Sequence, residues 1–186
     1  INTDGMHIRM PVKGRDGIVE VHSRRLTGRL SADVPGSVDP AGYDLVVLAM
    51  QEPQYRSQEV RALLDGVATA RIPCLSIMNM PPPPYLARIR GINVEACREC
   101  YTDASIWDPF DPALVTHCSA DPQASRAPDQ PENVIQVKLP SNFRAARFES
   151  SAHSAMLCAL ASDIEVARFN DGAGSVELPV KLKVHD

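Results

Sequence analysis

The sequence lacks a basic field. Its 19 Lys and Arg are outnumbered by 23 Asp and Glu, giving a formal net charge of -4. Nucleic acid and an anionic membrane surface are therefore not expected as main partners. No apolar run approaches the roughly 18 residues that a membrane span needs. The opening residues, INTDGMHIRM, carry no positive segment followed by an apolar stretch, so no signal peptide is read and a cytoplasmic location is expected. Cysteine is sparse and odd in number: Cys74, Cys97, Cys100, Cys118 and Cys158. A disulfide scaffold is excluded on density, and reduced thiols are the expectation. Internal repeats and long low-complexity tracts are missing as well. So is any Gly-x-Gly-x-x-Gly, the turn that brings a helix N-terminus against a pyrophosphate.

Proline, by contrast, is plentiful: 16 of 186 residues, well above the usual ~5%. Such a chain should be rich in loops and short of long uninterrupted helices. Its length suits one domain or slightly more, with a core that needs no staples. Both ends look like cuts through a larger chain. The sequence opens on Ile1 rather than Met, directly into an extended-looking segment. It closes on ELPVKLKVHD with neither a helix stop nor a tail.

The firmest pattern lies at about 44–80. DLVVLAM, from Asp44, is a continuous apolar run, as a strand buried on both faces of a parallel sheet requires. SQEVRALLDGVATA predicts a helix, with Ser57 as N-cap and Val60, Leu63, Leu64 and Val67 at helical spacing. RIPCLSIMNM reads as a second buried strand. Strand, helix, strand over this length is a βαβ unit with a right-handed crossover. The expected fold class is therefore α/β, with a parallel βαβ unit and further strands and a helix after it. Around it, GMHIRM and the stretch from Ile18 to Val21 suggest exposed antiparallel or connecting strands. Pro81 to Pro84 should stop the second strand and hold the chain extended before one or two helical turns at YLARI. A Pro-rich loop region is expected at about 81–132, holding a short helix and a strand near Leu114 to Cys118. NVIQVKLP alternates as a half-buried strand should, and the longest helix is expected from Ser151.

Ligands of open α/β sheets bind outside the carboxyl ends of the strands. Two such ends are MQEPQY and NMPPPP, where Gln54 and Asn79 can each donate and accept hydrogen bonds. A plain structural role stands beside the functional one: Gln54 could cap the following helix, and Asn79 could satisfy a turn. Other constellations read more simply as structure. Cys97 and Cys100 form a lone C-x-x-C, which lacks the two further ligands of a zinc site, and His117 and Cys118, being adjacent on a strand, point to opposite faces. His7, His22 and His185 read as solvated. Ser151 or Ser154 with His153 resembles no nucleophile elbow, and Asp108, Asp111 and Asp121 stand beside prolines, where turn formation explains them. No metal site is assigned.

The order of features resembles the ketopantoate reductase (2-dehydropantoate 2-reductase) type of Rossmann-fold dehydrogenase. DGMHIRM matches its Gly-apolar-x-apolar segment, YDLVVLAM its Asp-apolar-apolar strand, QEPQ its Lys-x-x-Gln turn and SIMNM its Asn-Gly strand end. VIQVKLPSN and the helix from Ser151 resemble its remaining strands and helix. The resemblance makes the sheet Rossmann-like and implies that residues 1–186 are an incomplete nucleotide-binding domain, lacking the N-terminal Gly-x-Gly-x-x-Gly segment and the C-terminal helical domain. It implies NADP or NAD as cofactor and a small-molecule substrate, a 2-keto or 2-hydroxy acid, and it allows a homo-oligomer. Gln54 falls on the glutamine that contacts the dinucleotide, and Asn79 on the asparagine between nicotinamide and substrate, its catalytic candidate. Gln51 stands at the cofactor-binding position where the family has lysine, and Met80 replaces the family's glycine. A degenerate Rossmann-like module that binds a metabolite or a partner protein without turnover is the alternative. KLKVHD echoes the family's Lys-Leu-x-x-Asn, but Pro179 and His185 depart from it and Lys181 is given no role.

Overall fold

The computed structural model describes residues 1–11, 16–78, 80–118, 123–126, 128–131, 134–138, 143–157, 168–170, 175–177 and 182–185. The strands are β1 (His7–Pro11), β2 (Ile18–His22), β3 (Val46–Leu48), β4 (Cys74–Ser76), β5 (Val115–His117), β6 (Gln123–Arg126), β7 (Val134–Lys138), β8 (Phe143–Ala146), β9 (Arg168–Asn170), β10 (Ser175–Glu177) and β11 (Leu182–His185). The helices are α1 (Gln58–Thr69), α2 (Pro83–Leu86), α3 (Val94–Arg98) and α4, described over 151–157. No described helix is long and apolar enough to cross a membrane. The chain divides into two units: 1–32, 122–143 and 160–183 form one, and 33–121, 144–159 and 184–186 the other.

The second unit contains the expected βαβ unit. β3 and β4 run parallel, with Val46 opposite Cys74 and Leu48 opposite Ser76, and β5 joins on the far side of β4 in parallel register. Backbone bonds from Ile77 N to Leu48 O (3.1 Å) and from Cys118 N to Ser76 O (2.7 Å) carry both ladders past the strand ends. The helix between them forms for the reasons its sequence gives. Ser57 accepts a hydrogen bond from Val60 N at 3.2 Å, which satisfies one of the orphan donors of the first turn. Leu64 and Val67 are buried in one stripe. The helix ends without glycine: Arg71 takes φ 56° and ion-pairs with Asp111 at 2.7 Å.

That stripe packs into a core of Leu48, Tyr55, Leu64, Val67, Cys74, Ile106, Trp107, Phe110 and Val115. Trp107 is its aromatic hub, 5.5 Å from the Tyr55 ring and 5.4 Å from Phe110, both tilted, as aromatic quadrupoles prefer. All three residues of β4 and of β5 are buried. β3 departs from the expectation of full burial. It lies at the edge of the three-stranded sheet, and Val47 is 46% exposed.

The proline run differs in part as well. Pro82 is extended (φ -68°, ψ 145°), but Pro83 and Pro84 open α2. The first helical positions need no backbone donor, so proline's fixed φ suits them. Within the expected loop region, α3 is capped by Asn93, which accepts from Ala96 N at 3.3 Å. Asp111 accepts from Ala113 N at 2.9 Å, the turn role expected of it; Asp121 lies outside the described residues. Arg88, only 13% exposed, donates to Val115 O at 2.7 Å and to Arg147 O. Thr116 Oγ1 donates to Ala146 O at 2.6 Å. These bonds tie β5 to the segment that leads into α4.

The first unit is built on a four-stranded sheet in the order β2-β1-β7-β6. β1 and β2 are antiparallel, β1 and β7 parallel, and β7 and β6 antiparallel. One face of the β1–β2 pair is apolar and closed by Met10, Val19 and Val21. The other carries His7, Arg9, Glu20 and His22, because side chains alternate with a period of two. β9 and β10 form a separate antiparallel pair.

Candidate functional site

The carboxyl ends of β3, β4 and β5 lie along one edge of the parallel sheet, where ligands of this architecture bind. β3 leads through Met50 into a 3-10 turn, Glu52–Arg56. Pro53 sits at its start, where a missing N–H costs nothing. Gln51 precedes the turn in extended backbone and Gln54 is its third residue; both side chains are exposed. Gln54 Oε1 accepts from Gln51 N at 2.9 Å, and Gln54 N donates back to Gln51 O at 3.0 Å. The two glutamines are thus brought together in one reciprocal cap. This is the structural role open to Gln54 in the sequence, with the exception that it caps the 3-10 turn and Ser57 caps α1. Asn79 lies outside the described residues. Its neighbours are Met78, packed against the core, and Met80, 36% exposed.

A small cavity lies near these strand ends. Tyr55, Met78, Met80, Tyr101, Asp103, Ile106 and Trp107 line a cavity of about 10 Å³, which holds no more than a single water. Tyr101 donates its hydroxyl to Pro81 O, and burial pushes its pKa up to about 12. Burial also pushes the Tyr55 phenol up, with the neighbouring Cys74 adding to it. Both phenols therefore stay neutral; Tyr101 is a donor, whereas the Tyr55 hydroxyl is buried with no hydrogen-bond partner among the described residues. Asp103 accepts from Ser105 N at 3.0 Å and pairs with Arg61. The Ser105 hydroxyl, ahead of Arg61, holds its carboxyl below the ordinary range. At the end of β5, His117 is buried, tilted 5.5 Å from Tyr85, and pushed down in pKa by burial.

The chemistry of this edge has a definite bias. The exposed amides of Gln51 and Gln54 suit uncharged hydroxyl and carboxamide groups. The start of α1 does not suit a diphosphate, since Ser57 already caps it and Glu59 puts a negative charge in its first turn. Elsewhere, Ser154 donates to Phe148 O at 2.7 Å and His153 lies edge-on to Phe148, so neither forms part of a nucleophile–base pair. Cys97 and Cys100, at the end of α3, are unpaired thiols, half-buried and exposed respectively. The face with His7, Glu20 and His22 is where sequence reasoning missed a constellation. The histidines are half-buried and stacked, not solvated. The signal was present in VEVH, where Glu20 and His22 at i, i+2 share a strand face.

No known family profile matches the chain, and no curated protein does. Among solved structures, the backbone is similar to the crystal structure of a "putative ketopantoate reductase" from Ralstonia solanacearum MolK2, with a TM-score of 0.50 at 15% identity. The similarity covers 94% of this chain and 47% of that one, so the chain spans about half the length of that protein. At this identity the likeness shows a shared fold, a Rossmann-like α/β arrangement.

Proposed function

We propose that this chain is a nucleotide-binding part of an NAD(P)-dependent oxidoreductase of ketopantoate reductase type. The observation that carries the reading is the shared backbone with a reductase-type structure over nearly the whole chain. The polar turn at the carboxyl edge of the parallel sheet adds to it. When bound, nicotinamide supplies hydride exchange with a 2-keto or 2-hydroxy acid. On this reading Gln54 holds the uncharged part of the dinucleotide through its amide, and Gln51 flanks it without the charge a lysine would bring. Asn79, next along the chain from Met78, positions the substrate carbonyl. The bias against a diphosphate at α1 means that the phosphates are bound by residues other than this helix start.

The test is a titration of NADPH and NADH against the full-length gene product, followed by fluorescence and calorimetry. Saturable binding that weakens in Gln54→Ala is the expected result, and no saturable binding of either cofactor sinks the reading. A second reading has one observation in its favour: the acceptor atom of Gln54 is already engaged by Gln51 N. On that reading the chain is a degenerate Rossmann-like module that binds without turnover. Nicotinamide binding with no oxidation or reduction of any 2-keto or 2-hydroxy acid would favour it.

A further inference from the structure

We propose that His7, Glu20 and His22 form a binding site for a divalent transition metal of the zinc class. The antiparallel register sets His7 directly opposite His22, and Arg9 opposite Glu20, so all four project from one face. Directly opposed side chains are ~5 Å apart at Cβ, and long diagonal neighbours such as Glu20 and His7 come within reach. The ligand atoms of the three residues already lie within 4.8 Å of one another. Zinc bonds of about 2.0–2.2 Å to nitrogen and oxygen place tetrahedral ligands about 3.4 Å apart. Closing that difference calls for side-chain rotation and not for a change of strand register.

Three details favour a shared ion over a plain ion pair. His7 Nε2 lies 3.3 Å from Glu20 Oε2, yet it is buried and makes no aligned hydrogen bond with any described residue. Arg9 Nε holds the other carboxylate oxygen, Oε1, at 3.1 Å, which orients Glu20 and leaves Oε2 turned to the histidines. The imidazole rings stack at 3.9 Å and 18°, which holds both side chains at one spot of the face, and binding an ion would swing the two ring planes out of the stack to aim their nitrogens at it. Two imidazoles and one carboxylate are the hard-to-borderline donor set that zinc and its neighbours accept. His7 and His22 also line a cleft of about 310 Å³ with Asp4, Ser23 and Gln130. Coordination left open by three protein ligands would face that cleft, available to water or to a small anionic ligand.

The probe is the metal alone. Calorimetric titration of Zn²⁺ into the chain should show one equivalent bound, and Co²⁺ should give d–d bands without thiolate charge transfer. His7→Ala and His22→Ala should each weaken binding at least about ten-fold. A Cys97→Ser, Cys100→Ser double variant should bind as the unaltered chain does. The proposal is overturned by the absence of saturable binding, by a thiolate band in the Co²⁺ spectrum, or by histidine variants that bind undiminished. The Co²⁺ spectrum decides on the unaltered chain, so the test survives if a histidine variant fails to fold.

Discussion

Gln54 offers a way to separate a structural role from a binding role at the same atom group. Gln54→Ala removes the acceptor for Gln51 N, an exposed hydrogen bond of 2.9 Å. A neutral, solvent-exposed bond of this kind contributes about 0.5–1 kcal/mol net, and side-chain caps fall in the same range. For a chain of this size 1 kcal/mol moves Tm by roughly 2–4 °C, so a loss of about 1–4 °C is expected. Gln54→Glu keeps an oxygen acceptor and should restore most of that stability. It also replaces the amide donor with a charge, beside Glu52 and Glu59 in the same stretch. If Gln54 contacts a dinucleotide through the amide, both variants lose one hydrogen bond, about 1–1.4 kcal/mol or about 5–10-fold in Kd. Urea unfolding and NADPH fluorescence titration then read the two roles apart: Ala lowers stability and affinity, Glu lowers affinity alone. Affinities within twofold of each other in all three proteins would refute the binding role. Unchanged stability in Gln54→Ala would refute the capping argument.

Three further outcomes follow from the second unit. Arg88→Ala removes charge-assisted bonds to the Val115 and Arg147 carbonyls and a half-exposed partner in Glu149; a loss of about 2–4 kcal/mol in urea unfolding is expected, and less than about 1 kcal/mol would contradict the clamp. His117 has its pKa lowered by burial, so the unfolded chain takes up this proton first, near pH ~6.5. Stability should be full above that pH and fall as pH drops toward the folded pKa, by at most about 1.4 kcal/mol per pH unit for one proton. His117→Gln should flatten this slope, and an unchanged slope would assign it to other groups. Cys97 and Cys100 should react rapidly with a disulfide reagent, whereas Cys74, fully buried and raised to about 12 by burial, should react only on unfolding; peptide mapping of labelled protein that finds Cys74 among the fast thiols would contradict its burial.

The βαβ unit was legible because each of its signals is local. Ser57 sits where a cap is needed, Leu64 and Val67 recur on one face, and the apolar runs stop at polar turns. What was illegible depends on neighbours distant in sequence. A continuous apolar run such as DLVVLAM says that a strand is apolar on both faces but not which side of a sheet it takes, and Val47 turns out exposed at an edge. The proline run was read through the absence of donors, which fits both an extended segment and a helix start. Pro83 and Pro84 take the second because Tyr85 N and Leu86 N have Pro82 O to bond. The stacking of His7 on His22 rests on a hairpin register, and one residue of slip would put the histidines on opposite faces.

The Gln51–Gln54 turn shows why residue type alone leaves a site undecided. A glutamine amide has an acceptor and a donor end, so one end can hold the backbone while the other remains for a ligand. In this turn Oε1 is the end that holds Gln51 N, which fixes the side-chain direction and leaves the Nε2 end pointing away from that cap. Capping and binding are then compatible roles, and the cap supplies the orientation that a contact would need. A lysine in place of Gln51 would add a charge but would leave the backbone N–H of that position unchanged. Lysine at this position would therefore change what the edge attracts while leaving the Gln54-to-Gln51 N half of the cap in place. It follows that Gln51→Lys should leave stability near wild type while strengthening attraction for an anionic ligand, an effect that added salt would remove.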